Sequence, residues 1–247
     1  MNDVESKINE RLVHVAVGPL TLEGNLTLPE EPRGVVLFAH GSGSSRRSPR
    51  NRHVAEMLNE ANLATLLIDL LTSEEEMIDL RTAHLRFDIN LLAERLIAAT
   101  DWLTQDADTR DLRVGYFGAS TGAAAALVAA AERSEVVGAI VSRGGRPDLA
   151  GPALPQVQAP TLLIVGGNDF QVIELNRAAF AQLYCEKELV IVAGATHLFE
   201  ERGALDEVAR LARKWFERHL TTARVRAGKP RNAESQQLPS NSGARTA

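Results

Sequence analysis

Gly118-Ala119-Ser120-Thr121-Gly122 constrains this chain more than any other segment. It follows the apolar run Arg113-Val114-Gly115-Tyr116-Phe117 and precedes an alanine-rich stretch over 123–131. Glycines two before and two after a serine, between a predicted strand and a predicted helix, form the G-x-S-x-G pattern of a sharp strand-to-helix turn. Such a turn cramps the serine backbone, and only the flanking glycines leave room for the neighbouring strand and helix. The Ser120 hydroxyl then stands above a sheet edge, at a helix N-terminus whose free N–H groups can meet developing negative charge. A chain with this turn has to supply the sheet that carries it.

The remaining pattern supplies one. Residues 13–17 and 20–28 read as two strands joined at Gly18-Pro19, the second with alternating apolar positions. Residues 35–39, 64–69, 113–117, 136–141, 161–165 and 188–192 are short apolar runs, as strands covered on both faces must be. Helical spacing over 53–61, 87–103, 173–183 and 204–220 fills the gaps. Alternating strands and helices imply right-handed crossovers and a mostly parallel sheet. The predicted fold is therefore α/β, a mostly parallel sheet of about eight strands flanked by helices, with an N-terminal antiparallel hairpin. Residues 142–158 are too short to hold a large lid. Residues 1–220 form one predicted domain. Residues 221–247, rich in Gln, Ser, Asn, Pro and Gly, bury too little to offset chain ordering and are expected to be a disordered tail. A docking arm is the alternative.

Composition narrows the partners. Across 247 residues the net charge is −5 and aromatics are 4%, so no basic stripe interleaved with aromatics points to nucleic acid. Cys185 is the one cysteine, which excludes an internal disulfide and fits a reducing compartment. The first seven residues lack a signal-peptide apolar stretch, and no apolar run is long enough to span a bilayer. A cytoplasmic protein without membrane or nucleic-acid partner, monomeric or homodimeric, is the expectation.

A serine hydroxyl needs a base to take its proton and an acid to hold that base in the right tautomer. On this sheet the order is serine, acid, histidine, each in a loop after a strand. The run 161–165 opens into Gly166-Gly167-Asn168-Asp169, and 188–192 opens into Ala193-Gly194-Ala195-Thr196-His197. Ser120, Asp169 and His197 are thus predicted at the carboxyl edge of the sheet, where open α/β sheets bind ligands. Asp69, which also ends a strand there, is the alternative acid. His40 reads as structural or as part of the neighbouring loop, and His14, His53, His84 and His219 as surface or helix-end residues. No zinc-like spacing exists, so neither metal nor cofactor is expected.

Attack at a carbonyl creates an oxyanion that fixed N–H donors can stabilise. The expected donors are the amides of Thr121, just after the nucleophile, and Ser42, in the loop His40-Gly41-Ser42-Gly43-Ser44-Ser45; Gly41 is the alternative to Ser42. Neither a P-loop nor a dinucleotide-binding glycine pattern is present there. Arg46, Arg47, Arg50, Arg143 and Arg146 follow strands at the same edge. A guanidinium fork can hold a carboxylate or phosphate, so Arg46, Arg50 and Arg143 are candidates for binding an anionic ester. The alternative is solvated surface charge, or pairing with Glu74, Glu75 and Glu76.

These segments together resemble the α/β-hydrolase superfamily, and within it the dienelactone hydrolase-like branch. The resemblance covers roughly residues 10–220. It rests on His40-Gly41-Ser42-Gly43, Gly118-Ala119-Ser120-Thr121-Gly122, Gly167-Asn168-Asp169 and Gly194-Ala195-Thr196-His197. Arg46-Arg47-Ser48-Pro49-Arg50-Asn51 and Asp69-Leu70-Leu71-Thr72 are also similar to bacterial hydrolase-like proteins that sometimes occur fused to phosphoribosyltransferase domains. The resemblance implies the fold and a triad of Ser120, Asp169 and His197. Dienelactone hydrolases proper use a cysteine nucleophile; serine here favours a carboxylesterase acting on a small soluble ester, thioester or lactone through an acyl-enzyme. The rival reading is a non-catalytic binding or accessory module on the same fold. Halide-dependent peroxidation is a third.

Overall fold

β1 (Asn9–Val17) and β2 (Leu20–Leu28) form the predicted antiparallel hairpin, with Val13, Val15, Leu22 and Leu26 turned to the core and polar residues between them. The computed structural model describes residues 9–220; the expected tail lies outside the described residues. Chain order continues through β3 (Val35–Ala39), α1 (Pro49–Asn59), β4 (Ala64–Ile68), α2 (Ser73–Thr82) and α3 (Ile89–Leu103). Then follow β5 (Val114–Ala119), α4 (Thr121–Glu132), β6 (Val137–Arg143), β7 (Thr161–Gly166), α5 (Phe170–Gln182), β8 (Lys187–Val192) and α6 (Ala204–Leu220).

The eight strands form one sheet in the order β1-β2-β4-β3-β5-β6-β7-β8. β2 meets β4 antiparallel, and every pairing from β4 through β8 is parallel. Every residue of β3, β4, β5, β6 and β7 is buried, which is why these runs are largely apolar, with Thr65, Ser142, Arg143 and Thr161 as their buried polar or charged residues. Successive side chains point to opposite faces. Val36 and Phe38 of β3, with Phe117 of β5, join the layer under α1 and α6. Val35 and Leu37, with Tyr116, join the layer under α3 and α4. α6 closes the first layer: Phe216 and Leu220 lie over Gly115, where an added Cβ would come within 2.8 Å of both side chains.

Several bounds differ from the sequence reading by a few residues, and three departures among the helices have a local reason. α1 begins four residues before the apolar spacing does, because Ser48 caps it by accepting from the Asn51 amide and Pro49 suits its first turn. α5 begins at Phe170, directly after Asp169. α2 was not anticipated, since Asp79 is its one buried residue and no apolar stripe marks it. It is held by a capping box, Thr72 Oγ1 accepting from the Glu75 amide while the Glu75 carboxylate accepts from the Thr72 amide. Residues 147–156, between β6 and β7, form a 3-10 segment kinked at Gly151 in place of a lid.

Candidate active site

Ser120 joins β5 to α4 with φ 50° and ψ −122°, a conformation rarely adopted outside glycine. The flanking glycines make it possible. A Cβ on Gly118 would lie 2.4 Å from Ala123 Cα, and one on Gly122 would lie 2.3 Å from the Ala39 carbonyl oxygen. The Ser120 backbone is tied to the loop after β6: its amide donates to the Arg143 carbonyl (3.4 Å), and its carbonyl accepts from the Arg146 amide (3.0 Å). Its hydroxyl makes no capping bond to α4, so the oxygen is uncommitted to the helix.

Two more edge loops bring Asp169 and His197 together. The loops are stitched by Gly167 N–H to Val192 carbonyl (2.8 Å) and by Asn168, whose amide reaches the Ala195 carbonyl and whose side chain donates to the Gly194 carbonyl, each at 2.9 Å. Asp169 sits at the N-terminus of α5 without capping it, leaving the carboxylate to accept from His197 Nδ1 at 2.7 Å. With Nδ1 carrying the proton, Nε2 presents its lone pair. The imidazole packs at Gly144, where an added Cβ would lie 3.6 Å from His197 Cε1. Ser120 and His197 therefore share one support, the turn over 143–146. Among the described residues no hydrogen bond joins the Ser120 hydroxyl to the His197 ring.

The expected oxyanion loop lies against this turn. Gly41 packs on Ser120, since a Cβ there would fall 2.9 Å from Ser120 Cβ. The Ser42 amide points to Thr121 and donates to its Oγ1 at 3.1 Å. Thr121 is the first residue of α4, where an amide has no intrahelical acceptor. The two expected donors are thus neighbours, with the Ser42 N–H held by the Thr121 hydroxyl.

His40 anchors that loop from below. Its buried ring donates from Nδ1 to the Gly41 carbonyl (3.0 Å) and accepts at Nε2 from the Leu70 amide (3.0 Å). Burial pushes its pKa down, so the ring is a neutral strut. Asp69, the alternative acid, is occupied elsewhere: it accepts from the Arg46 amide (2.6 Å) and guanidinium. Arg46 also donates to Glu23 (2.6 Å) and Asn25 (3.0 Å). Its charge is spent within the protein, on partners other than the expected Glu74–Glu76 set. Arg50 reaches Glu200 at 3.1 Å. Arg143, 8% exposed, donates from Nη2 to Asn51 Oδ1 at 3.3 Å. Arg146 pairs with Asp148 (2.7 Å).

A cavity of about 300 Å³ opens between the loop over 40–45, Thr121 and α2, with Glu76, Asp79 and Arg86 in its wall. Sequence reasoning missed this wall. Asp79 is buried yet accepts from the Leu85 amide (2.7 Å) and from the amide and Nε of Arg86. Burial alone would raise its carboxyl, but these bonds outweigh it and hold the pKa below the usual carboxylate range. Arg86 is thereby fixed with Nη1 toward Gly43. The capping box at Thr72 was the readable signal for α2; nothing in the sequence marked the Asp79–Arg86 pairing. Among the described residues no group of three or more His, Cys, Asp or Glu could hold a metal. No described helix is long and apolar enough to cross a membrane.

The model of the dienelactone hydrolase family matches residues 22–224. A dienelactone hydrolase from Anabaena variabilis is 66% identical, covers 87% of this chain and 99% of its own, and superposes with a TM-score of 0.85. A dienelactone hydrolase-like promiscuous phosphotriesterase from metagenomic libraries superposes with a TM-score of 0.72 at 18% identity over 86% of this chain and 99% of its own, a likeness of fold alone. Two Mycobacterium tuberculosis proteins with phosphoribosyl transferase in their names are 59% identical over 213 residues. The match covers 86% of this chain and 47% of theirs, so the chain spans about half the length of these curated relatives.

Proposed function

Because the chain belongs to the dienelactone hydrolase family, we propose that it hydrolyses a small carboxylic ester, thioester or lactone through an acyl-enzyme on Ser120. The observation that carries this reading is the 2.7 Å contact of His197 Nδ1 with Asp169 beside the strained Ser120 elbow. Asp169 keeps Nε2 free of its proton and stabilises the imidazolium that forms when His197 takes the hydroxyl proton. The Ser120 oxygen attacks the carbonyl, and the tetrahedral oxyanion accepts from the Thr121 and Ser42 amides. Ser42 exchanges the Thr121 hydroxyl for the oxyanion at that step. His197 then returns the proton to the leaving group, and the acyl-enzyme forms. A water, deprotonated by the same ring, resolves it to acid and free serine. The cavity of about 300 Å³ beside Ser42 and Thr121 is small for a ligand site, which suits short acyl groups.

Labelling with a fluorophosphonate probe tests the nucleophile. The wild type should gain the probe's mass on the peptide carrying Ser120, and Ser120→Ala should gain none. Asp169→Asn should retain the fold but lower kcat on a 4-nitrophenyl ester by about 10³–10⁴-fold, as expected when the base is held in the wrong tautomer. A folded wild type inert to the probe would favour the second reading, a binding module that keeps the fold. The open contact between Ser120 and His197 is what favours that alternative. The relatives' phosphoribosyl transferase name adds a transferase variant of it, which turnover of a phosphoribosyl donor undiminished in Ser120→Ala would support.

A further inference from the structure

The buried positions of α5 are Val172, Ile173, Asn176 and Ala179. Three are apolar, as the inner stripe of a packed helix requires; Asn176 is the exception, and it is completely enclosed. Its amide nitrogen donates twice, to the Val172 carbonyl of its own helix at 2.8 Å and to the Gly145 carbonyl at 3.0 Å. Its Oδ1 is buried with no hydrogen-bond partner. An amide oxygen buried unpaired opposes folding, so packing by itself does not account for an asparagine at this place. What the side chain gains is the bond to Gly145.

Gly145 lies in the middle of the turn that serves both Ser120 and His197. On one side of it the Arg143 carbonyl accepts the Ser120 amide, and on the other the Arg146 amide donates to the Ser120 carbonyl. Gly144 lies against the histidine, where an added Cβ would fall 3.1 Å from the His197 carbonyl oxygen and 3.6 Å from Cε1. The turn is wedged against α4, since a Cβ on Gly145 would lie 2.6 Å from Ala123 Cβ. Asn176 grips it from the other side. The helix that carries Asn176 begins directly after Asp169, whose carbonyl accepts the Ile173 amide at 2.9 Å. Asp169 and Asn176 are about two helical turns apart. The bond to Val172 fixes the amide in its own helix and aims it at Gly145.

We propose that Asn176 is a positioning residue: by clamping the turn over 143–146 to the helix that follows Asp169, it sets the distance between the Asp169–His197 pair and the Ser120 elbow. This deepens the hydrolase reading and rests on it. With no hydrogen bond between the Ser120 hydroxyl and the His197 ring among the described residues, their approach is governed by the frame that holds each of them. The Asp169–His197 pair has its own supports, the bonds of Gly167 and Asn168 to the loop after β8. Loss of Asn176 therefore leaves the pair intact and frees the turn beside it. A misplacement of about 1 Å at reacting groups costs on the order of 10²-fold in rate. Neither Asn176 nor the turn lines the cavity beside Ser42 and Thr121, so the effect falls on kcat and spares KM.

Steady-state kinetics, thermal unfolding and proton NMR on the full chain test this. Asn176→Leu removes both donated bonds at similar size. Asn176→Ser can still donate to the Val172 carbonyl but falls short of Gly145, and it carries the test if Asn176→Leu does not fold. Each should lower kcat on 4-nitrophenyl acetate by about ten- to a hundredfold, with KM within about twofold of the wild type. Asn59→Leu is the control. Asn59 is also buried, and it donates to the Leu63 carbonyl (2.9 Å) and the Thr65 hydroxyl (3.1 Å) at the amino edge of β4, away from the site. Its loss should lower Tm and leave kcat unchanged. The downfield proton resonance of His197 Nδ1–H, identified by its absence in His197→Gln, should persist in both Asn176 variants. Wild-type kcat in a folded Asn176 variant overturns the proposal, and so does an equal kcat loss in Asn59→Leu. Disappearance of the resonance together with kcat also overturns it, since the damage would then include the Asp169–His197 pair. A wild type that turns over no ester and resists the fluorophosphonate brings down the hydrolase reading, and the proposal with it.

Discussion

Ser120 holds φ 50° and ψ −122°, a region that costs a residue with a side chain about 1–3 kcal/mol. Glycine occupies such a region at little steric cost, though it loses roughly 0.5–1 kcal/mol of that gain to unfolded-chain freedom. Ser120→Gly should therefore raise stability by about 1 kcal/mol in urea denaturation, while removing the proposed nucleophile. A midpoint below that of the wild type would show that the elbow is unstrained and that Ser120 has been kept for packing. The flanking positions have no such latitude. A methyl group on Gly122 would meet the Ala39 carbonyl oxygen at 2.3 Å, a backbone atom that cannot step aside.

At the level of elements, α2 is the least anchored part of the cavity wall. Asp79 is its one buried residue, while Met77, Ile78 and Leu80 face solvent. α4 by contrast is buried along nearly its whole length, from Thr121 to Ala130. Few buried apolar contacts mean a low free energy of local opening. Amide hydrogen exchange in α2 should accordingly run faster than in α4. Thr72→Ala, which removes half of the capping box, should cost α2 about 1 kcal/mol and speed its exchange further without touching α4. Equal protection in the two helices would mean that α2 opens only with the whole protein. The consequence reaches the site, because Glu76, Asp79 and Leu80 line the cavity and local opening of α2 would enlarge it.

For the molecule as a whole, acid should act first through buried histidine. His40 has its folded pKa lowered from 6.5, burial being the main cause. His219, on α6, is lowered from 6.5 in the same direction, again chiefly by burial. A lowered histidine binds its proton in the unfolded chain before it does in the folded one. Its contribution to stability is thus full above pH ~6.5 and is lost as pH falls towards the folded pKa. Protonating His40 also places an Nε2–H against the Leu70 amide, where an acceptor is needed. Unfolding free energy should decline between pH 7.5 and 5.5, well above the range where Asp79 and Asp101, both lowered from 3.8, take up protons. His40→Gln should flatten that decline while lowering stability at pH 7.5. A wild-type profile level across the interval would mean that these rings titrate alike in both states.

Much of this was legible in the linear chain, for a physical reason. Glycine spacing around Ser120 is a steric requirement of the turn, so it is written locally. Largely apolar runs over 35–39, 64–68 and 161–165 record burial on both sheet faces. Strand-end loops placed Asp169 and His197 at the sheet edge with Ser120, because parallel strands deliver all their carboxyl ends to one side. What the chain order left open was which charges find which partners. Asp69 and Asp169 both end strands at that edge; tertiary packing gave Asp69 to Arg46 and Asp169 to His197. Arg46 and Arg143 looked alike as arginines following strands, yet one is neutralised by Asp69 and Glu23 while the other lies buried, with no carboxylate paired to it among the described residues. Local sterics set the elbow and the sheet; pairing between loops far apart in sequence depends on distances that exist only once the sheet has formed.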